Sequence, residues 1–287
     1  MYINLSNIKI YSYDVISDNW SPLPDSMHLN SSITIINGQL TTVGGGAYPI
    51  YSNELFSLTG EGSDRRWTKK FPPMPTKRSY CTTTVCTGAT VALIVAGGVG
   101  EGGKVLSTVE VMDTETHQWS TAAADLPGSE PVCCASATVR GDQFYMLGGF
   151  TDKPYHGAHT RSVYTCSVST LLQSCVRRSQ QKRSALPHKA RVWRRVADLP
   201  VKQSTCESFH GQLLAIGGKK DSQEPSTAVY MYNSTTNSWE IISHMTTGRY
   251  HCFTAVLPNN QLMALGGKIA RDESDLTDSV EIAHVYY

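Results

Sequence analysis

The chain has 287 residues with 25 basic and 24 acidic side chains, so its formal net charge at pH 7 is +1. This even balance gives no chain-wide field that would attract nucleic acid or an anionic membrane surface. Hydrophobic residues make up 40% of the sequence and charged residues 17%, and no apolar run approaches the ~18–20 residues that span a bilayer. We therefore expect a globular protein that binds neither nucleic acid nor a membrane.

Paired glycines recur along the chain, each pair following the end of a predicted strand. The five pairs are Gly44–Gly45, Gly97–Gly98, Gly148–Gly149, Gly217–Gly218 and Gly266–Gly267. Measured between second glycines, the intervals are 53, 51, 69 and 49 residues. A period near 50 residues predicts an array of small, similar supersecondary units.

One unit, residues 76–127, shows the strands of the repeat most clearly. Apolar and polar residues alternate in Ser79–Cys86 and in Thr108–Met112, while Val91–Ala96 is wholly apolar and a fourth segment centres on Trp119. Short turns separate them, and we find no helical period anywhere in the chain. All five tryptophans fit the same unit pattern: Trp20, Trp67, Trp119, Trp193 and Trp239.

Glycine pairs, phased tryptophans and the Tyr13–Asp14 or Met112–Asp113 type of pair six residues before a tryptophan occur together. In this combination the chain resembles the kelch-repeat family, over essentially its whole length. The resemblance implies an all-β fold, a kelch-type β-propeller of four-stranded antiparallel blades, and a single domain spanning 1–287. The approximate units are 1–24 (partial), 25–74, 75–127, 128–200, 201–245 and 246–287 (partial).

The two ends fit this scheme poorly. Residues 8–20 already match a third and a fourth strand, and the last unit stops after its third strand at Tyr287. Either five blades carry a spare strand, or the chain is part of a six-bladed ring; we favour the incomplete six-bladed ring.

The longest interval contains a basic segment, residues 174–191, with Arg177, Arg178, Lys182, Arg183, Lys189 and Arg191. It could serve as a nuclear address or a nucleic-acid arm, but polar residues divide its charges and no aromatic side chain accompanies them. We expect a solvated, flexible loop between the third and fourth strands of its unit.

Cysteines and histidines raise the question of a metal or catalytic site. Cys81, Cys133, Cys206 and Cys252 fall in first strands, where packing explains them better than zinc because no pair has ligand spacing. A disulfide between Cys166 and Cys175 stays open, and His156 and His159 suit a ligand contact or solvent. We predict no catalytic residue, metal or cofactor; the alternative class is a propeller enzyme of the galactose-oxidase or sialidase kind.

Loops joining second to third strands, and fourth to first strands of the next unit, should share one face. The resemblance implies that this face binds a protein partner, as the substrate-recognition part of a ubiquitin ligase or as a scaffold. The candidate contact residues are Arg78, Tyr80, Tyr155, His156, His159, Arg161, Arg249 and His251. Arg78 and Arg249 could instead close the turn between units.

The N-terminus shows no secretory signal, so we expect a cytoplasmic protein with cysteines as thiols. Partner identity and oligomeric state do not follow from the sequence. A third reading is a divergent or truncated fragment without independent function.

Overall fold

The computed structural model describes residues 2–4, 9–14, 16–86, 91–122, 125–126, 132–152, 158–180, 192–257, 261–270 and 275–284. Six antiparallel sheets and one helix account for the regular structure of these residues. They fall into two compact units, one built from Met1–Cys134, Thr151–Gly157 and Val168–Val192, the other from Ala135–Phe150, Ala158–Ser167 and Trp193–Tyr287. The single domain 1–287 stays a prediction.

The first unit holds three sheets and the helix. The first sheet has β1 (Tyr2–Asn4), β2 (Lys9–Asp14) and β3 (Asn19–Leu23). The second has β4 (Ser32–Ile36), β5 (Gln39–Ala47), β6 (Ile50–Thr59) and β7 (Arg66–Thr68). The third has β8 (Thr82–Cys86), β9 (Ala92–Ala96), β10 (Val109–Asp113) and β11 (Trp119–Thr121). The helix is α1 (Val168–Gln180).

The second unit holds the other three sheets. The fourth sheet has β12 (Ser136–Arg140), β13 (Gln143–Leu147), β14 (Val163–Ser167) and β15 (Arg194–Val196). The fifth has β16 (Thr205–Phe209), β17 (Gln212–Ile216), β18 (Ala228–Asn233) and β19 (Ser238–His244). The sixth has β20 (Phe253–Leu257), β21 (Gln261–Leu265) and β22 (Val280–His284).

Every sheet is a meander in which sequential strands are neighbours, which confirms the predicted all-β blades. Four sheets have four strands, whereas the first and the sixth have three among the described residues. The second strands of the third to sixth sheets are buried at all but their first residue or throughout; β9, for example, is less than 2% exposed at every residue. Each buried second strand explains the unbroken apolar run seen in the sequence, because both of its faces are covered.

The glycine pairs stand where one sheet contacts the turn that leads into the next. Gly97 has φ +62°, and a Cβ there would lie 2.1 Å from the carbonyl oxygen of Val132. Gly98 donates its N–H to that same oxygen at 2.8 Å. The pair is therefore required both by its left-handed backbone and by the close approach of the next segment.

The fourth-strand tryptophans link neighbouring sheets through their indole N–H groups. Trp67 donates to the carbonyl of Pro24, Trp119 to that of Pro72 and Trp239 to that of Ala197, each at 3.0 Å. Every acceptor lies in the segment that leaves the last strand of the preceding sheet. The phased tryptophans thus hold successive sheets together within each unit.

The prediction that the chain contains no helix is wrong. Residues 168–180 form α1, so the first part of the segment expected to be a flexible loop (174–191) is helical, and residues 181–191 lie outside the described residues. Val168, Leu171 and Cys175 are buried at helical spacing, and α1 packs against β11. Cys166 and Cys175 are both free thiols, not a disulfide.

In the second sheet, the predicted loop between the second and third strands is a tight hairpin instead. Strands β5 and β6 continue past the glycine pair, with Gly45 opposite Ser52, Gly46 opposite Tyr51 and Ala47 opposite Ile50. The hairpin ends in the Tyr48–Pro49 turn, whose peptide bond is cis. The third glycine, Gly46, permits this extension because its φ of +104° and a Cβ contact of 2.3 Å with Ile50 would exclude other residues.

Candidate functional site

A single backbone turn is repeated before the first strand of five sheets. Its key position lies two residues before the strand and has a left-handed backbone although it is never glycine. The five residues and their φ angles are Asn30 (55°), Tyr80 (53°), Cys134 (52°), Gln203 (56°) and His251 (52°). The backbone is thus constant while the side chain differs at each copy, and two candidate contact residues, Tyr80 and His251, occupy it.

Hydrogen bonds connect these turns within each unit. The Tyr80 N–H donates to the Asn30 carbonyl at 3.0 Å, and the Cys134 N–H donates to the Tyr80 carbonyl at 2.9 Å. In the other unit, Gln203 Nε2 lies 2.9 Å from His251 Nε2. Within each unit the turns therefore form a row of varied side chains on a constant backbone, which we call the row of turns.

Arg78 is not on the surface. Its side chain is fully buried, and Nη1 donates to the carbonyls of Gly97 at 2.9 Å and Thr108 at 3.2 Å. Nη2 lies 2.9 Å from Glu110 Oε1, and that carboxylate, with a side chain 1% exposed, also accepts from the Thr76 hydroxyl. We call this arrangement the first clasp.

Arg249 repeats the arrangement in the sixth sheet, as the second clasp. Its buried guanidinium donates from Nη1 to the carbonyls of Gly266 at 2.9 Å and Ser279 at 3.1 Å, and from Nη2 to Glu281. Burial alone would raise the pKa of Glu281, but backbone N–H groups of Thr246 and Thr247, together with Arg249, lower it overall.

The assignment of Arg78 and Arg249 to a partner contact is therefore corrected: a partner cannot reach either guanidinium. Their role is the alternative left open by the sequence: each closes the turn between two successive repeats. A signal for it exists in the sequence. Glu110 follows Arg78 by 32 residues and Glu281 follows Arg249 by 32 residues. The equal spacing places the two glutamates at the same strand position of their respective repeats.

The remaining candidates fall on the loop after β13. Tyr155 and His156 lie outside the described residues. His159 is partly buried, with its ring 4.3 Å from that of Phe150. Arg161 forms an ion pair with Asp221, which lowers the pKa of that carboxyl, and Lys202 Nζ lies 3.8 Å from the same carboxylate. These residues are not part of the row of turns.

The most exposed apolar side chains at the described second-to-third-strand connections are not among the candidate contact residues. Tyr48 and Ile50, at the tip of the β5–β6 hairpin, are 74% and 77% exposed. A Cβ on Gly103 of the next sheet would lie 4.0 Å from the Tyr48 ring and 3.9 Å from Tyr51 Oη, so both tyrosines lie against that loop. The signal was the third glycine, which marks a strand that continues.

Tyr80 stands next to this hairpin. Burial raises the pKa of Tyr80 to about 12, with smaller contributions from the neighbouring Cys134, Cys133 and Tyr51. Tyr48 and Ile50 therefore form an exposed apolar and aromatic surface at the hairpin tip of the first unit, which we call the tyrosine surface.

A partly buried carboxyl group lies elsewhere, on the first strand of the fifth sheet. Burial raises the pKa of Glu207 to about 7, partly offset by hydrogen bonds from the Ser208 N–H and the Thr254 hydroxyl. Over the described part of the chain, no three His, Cys, Asp or Glu side chains come together in a way that could hold a metal ion.

The sheets, the glycine turns and the indole contacts define blades of the β-propeller class. The family model described as "Kelch motif" matches residues 77–124 and 200–246, which cover the third and the fifth sheets. Both stretches therefore carry kelch motifs. No curated protein matches it in a sequence search, and none of its described helices has the length and apolar character needed to cross a membrane.

Proposed function

We propose that the chain is a non-catalytic module that binds a protein partner through the tyrosine surface. The observation that carries this proposal is the exposure of Tyr48 and Ile50, 74% and 77%, at the tip of an ordered hairpin. Because a strand pair already holds these large apolar side chains, their backbone does not have to be ordered when a partner covers them, which lowers the entropic cost of binding. Tyrosine is also among the residues that dominate binding energy at interfaces.

The framework around the surface supports the same function. Glycine pairs and indole contacts recur in several sheets and the clasp recurs in two, whereas the residues of the row of turns all differ. A repeated scaffold with side chains that vary at its turns suits recognition better than chemistry. Following the family resemblance, we extend the proposal to the substrate-recognition part of a ubiquitin ligase or a scaffold.

Affinity capture from cell extract with the intact chain tests the binding surface. A Tyr48→Ala, Ile50→Ala double variant should lose captured partners while its thermal unfolding stays unchanged. The matched control is Ile35→Ala, since Ile35 is 61% exposed near the opposite end of the same sheet. Partners that persist on the double variant, or that are lost equally on the control, would refute this surface.

A turnover assay addresses the rival class. Product formation from a panel of sugars and alcohols by metal-supplemented protein would contradict the non-catalytic proposal. Arg78→Ala and Arg249→Ala are unsuitable for either test, because both side chains are buried and their loss would act through folding.

A further inference from the structure

Arg161, Lys202 and Asp221 come together in the second unit from three separate connections. Arg161 precedes β14, Lys202 precedes β16 and Asp221 follows β17. Arg161 Nη2 donates to Asp221 Oδ1, and Lys202 Nζ lies 3.8 Å from that same oxygen. The aspartate side chain is 73% exposed, against 28% for Arg161 and 32% for Lys202. A carboxylate that solvent reaches therefore lies against two less exposed cations.

We propose that Arg161 and Lys202 form a binding site for a carboxylate side chain of an acidic partner peptide, and that Asp221 occupies this site until the partner displaces it. The group that the structure holds there is itself a carboxylate, so an aspartate or glutamate of a partner has the matching charge and size. The site belongs to the second unit and the tyrosine surface to the first. This inference therefore does not rest on the proposed function.

The backbone beneath the site does not require basic side chains. The N–H groups of Lys202 and Lys219 donate to each other's carbonyls at 3.0 and 2.6 Å. Ser79 and Val99 form the same backbone pair at the third sheet, at 2.9 and 2.7 Å, with an uncharged side chain at both positions. The two lysines thus add positive charge to a contact that the fold also makes without it.

Positive charge exceeds negative charge in the connections that meet here. Residues 158–161, 201–204 and 219–226 carry four basic side chains and two acidic ones, namely Arg161, Lys202, Lys219 and Lys220 against Asp221 and Glu224. Such an excess attracts a negatively charged segment and repels a basic one. Displacement of Asp221 from the cations increases the local excess, which favours a partner with several carboxylates.

Asp221 is a weak competitor for the site. Its hydrogen bond with Arg161 uses one carboxylate oxygen, and Arg161 Nε has no hydrogen-bond partner among the described residues. The pair therefore falls short of the two parallel bonds that arginine forms in its strongest carboxylate contacts. Ion pairs with an exposed partner add little to stability, so breaking this one costs the fold little.

Fluorescence anisotropy of a fluorescein-labelled hexaglutamate peptide with the whole chain, at low salt, tests the site. We expect saturable binding that Arg161→Gln and Lys202→Gln each weaken at least fivefold. Asp221→Asn should tighten binding about threefold, because the competing charge is gone. The matched control is the exposed ion pair between Arg195 and Asp198 in the same unit. Arg195→Gln and Asp198→Asn should leave the affinity unchanged.

A second set of measurements separates this site from the alternatives. The Tyr48→Ala, Ile50→Ala double variant should bind hexaglutamate as the wild type does, and its loss of binding would assign the peptide to the tyrosine surface instead. Absence of saturable binding, an equal loss in Arg195→Gln, or an Asp221→Asn variant that binds no more tightly would each overturn the proposal. Tighter binding of a single-stranded hexadeoxynucleotide than of hexaglutamate would also overturn it, since the site would then suit nucleic acid.

Discussion

The two clasps show which part of a repeated interaction is fixed and which part varies. On the arginine side they are almost identical: Nη1 to the glycine carbonyl is 2.9 Å in both, and the second carbonyl is at 3.2 Å in one and 3.1 Å in the other. On the carboxylate side they differ. Glu110 is 1% exposed and Glu281 is 20% exposed.

The hydrogen bonds of the two carboxylates differ in the same sense. Glu281 accepts backbone N–H bonds on both oxygens, whereas Oε2 of Glu110 has no hydrogen-bond partner among the described residues. Strand β11 covers Glu110, which lies opposite Thr121, and no strand of the described residues pairs with the outer edge of β22. The arginine contacts are invariant because their acceptors are backbone groups, while the carboxylate depends on what covers its strand.

Replacing each arginine by methionine should produce the largest difference in stability between the two clasps. Arg78→Met leaves the Glu110 carboxylate buried without its cation, and breaking such a buried pair costs about 3–5 kcal/mol. Arg249→Met should cost about half as much, because Glu281 keeps solvent access and two backbone donors. Urea unfolding of both variants measures this, and equal losses would contradict the comparison.

Alanine in place of the glycine that contacts each clasp arginine should, by contrast, destabilise the fold equally in both sheets. A Cβ on Gly44 would lie 2.4 Å from the Arg78 carbonyl oxygen, and one on Gly217 would lie 2.3 Å from that of Arg249. Alanine at either position should cost about 2–3 kcal/mol, from left-handed strain plus the clash.

Two glycines without neighbours provide the controls. Gly38 and Gly211 also have positive φ, but a Cβ on either meets nothing within 4 Å. Alanine there should cost only the left-handed strain, about 1–2 kcal/mol. Thermal unfolding of the four alanine variants measures the difference. If Gly38→Ala or Gly211→Ala destabilised the fold as much as Gly44→Ala and Gly217→Ala, close approach of the arginine carbonyl would not explain the glycine pairs.

A double replacement asks whether the charges of the first clasp are needed. The fifth sheet has Val201 and Tyr230 at the corresponding positions, and both belong to one hydrophobic cluster. Arg78→Val combined with Glu110→Tyr should therefore recover about 1–3 kcal/mol relative to the sum of the single variants. Additive losses in urea unfolding would show that the two kinds of contact are not interchangeable.

These positions also show which features of the fold can be predicted from the sequence. Glycine pairs and phased tryptophans predict the blades because they recur at a regular interval, which identifies the repeat without any knowledge of its contacts. The burial of Arg78 is not local, since it depends on a carbonyl and a carboxylate supplied by other strands. The 32-residue spacing from Arg78 to Glu110, and from Arg249 to Glu281, is the trace it leaves.

The misses at the hairpin and the helix have a different origin. Gly46 reads as a turn residue, but in the structure it lets two strands pass closely and expose Tyr48. Helix α1 has only three buried side chains at helical spacing before its basic end, too few for the pattern to stand out against charge. The tyrosine surface could not be predicted because exposure depends on how far a hairpin extends.

The smallest expected effect is a pH dependence confined to the second clasp. The folded-state pKa of Glu281 is lowered, so its ionised form stabilises the fold above the ordinary glutamate pKa of about 4.3, and that contribution is lost as the pH falls through the lowered value. Glu281→Gln should flatten this acid limb in unfolding experiments between about pH 5 and pH 2. Glu207→Gln is the opposite control: the pKa of Glu207 is raised to about 7, so its protonated form stabilises the fold below pH 4.3 and the benefit fades as the pH rises towards 7. Since Glu281 is partly exposed, its effect should also weaken in high salt. An acid limb unchanged by Glu281→Gln would show that the second clasp is held by Arg249 and the glycine carbonyl alone.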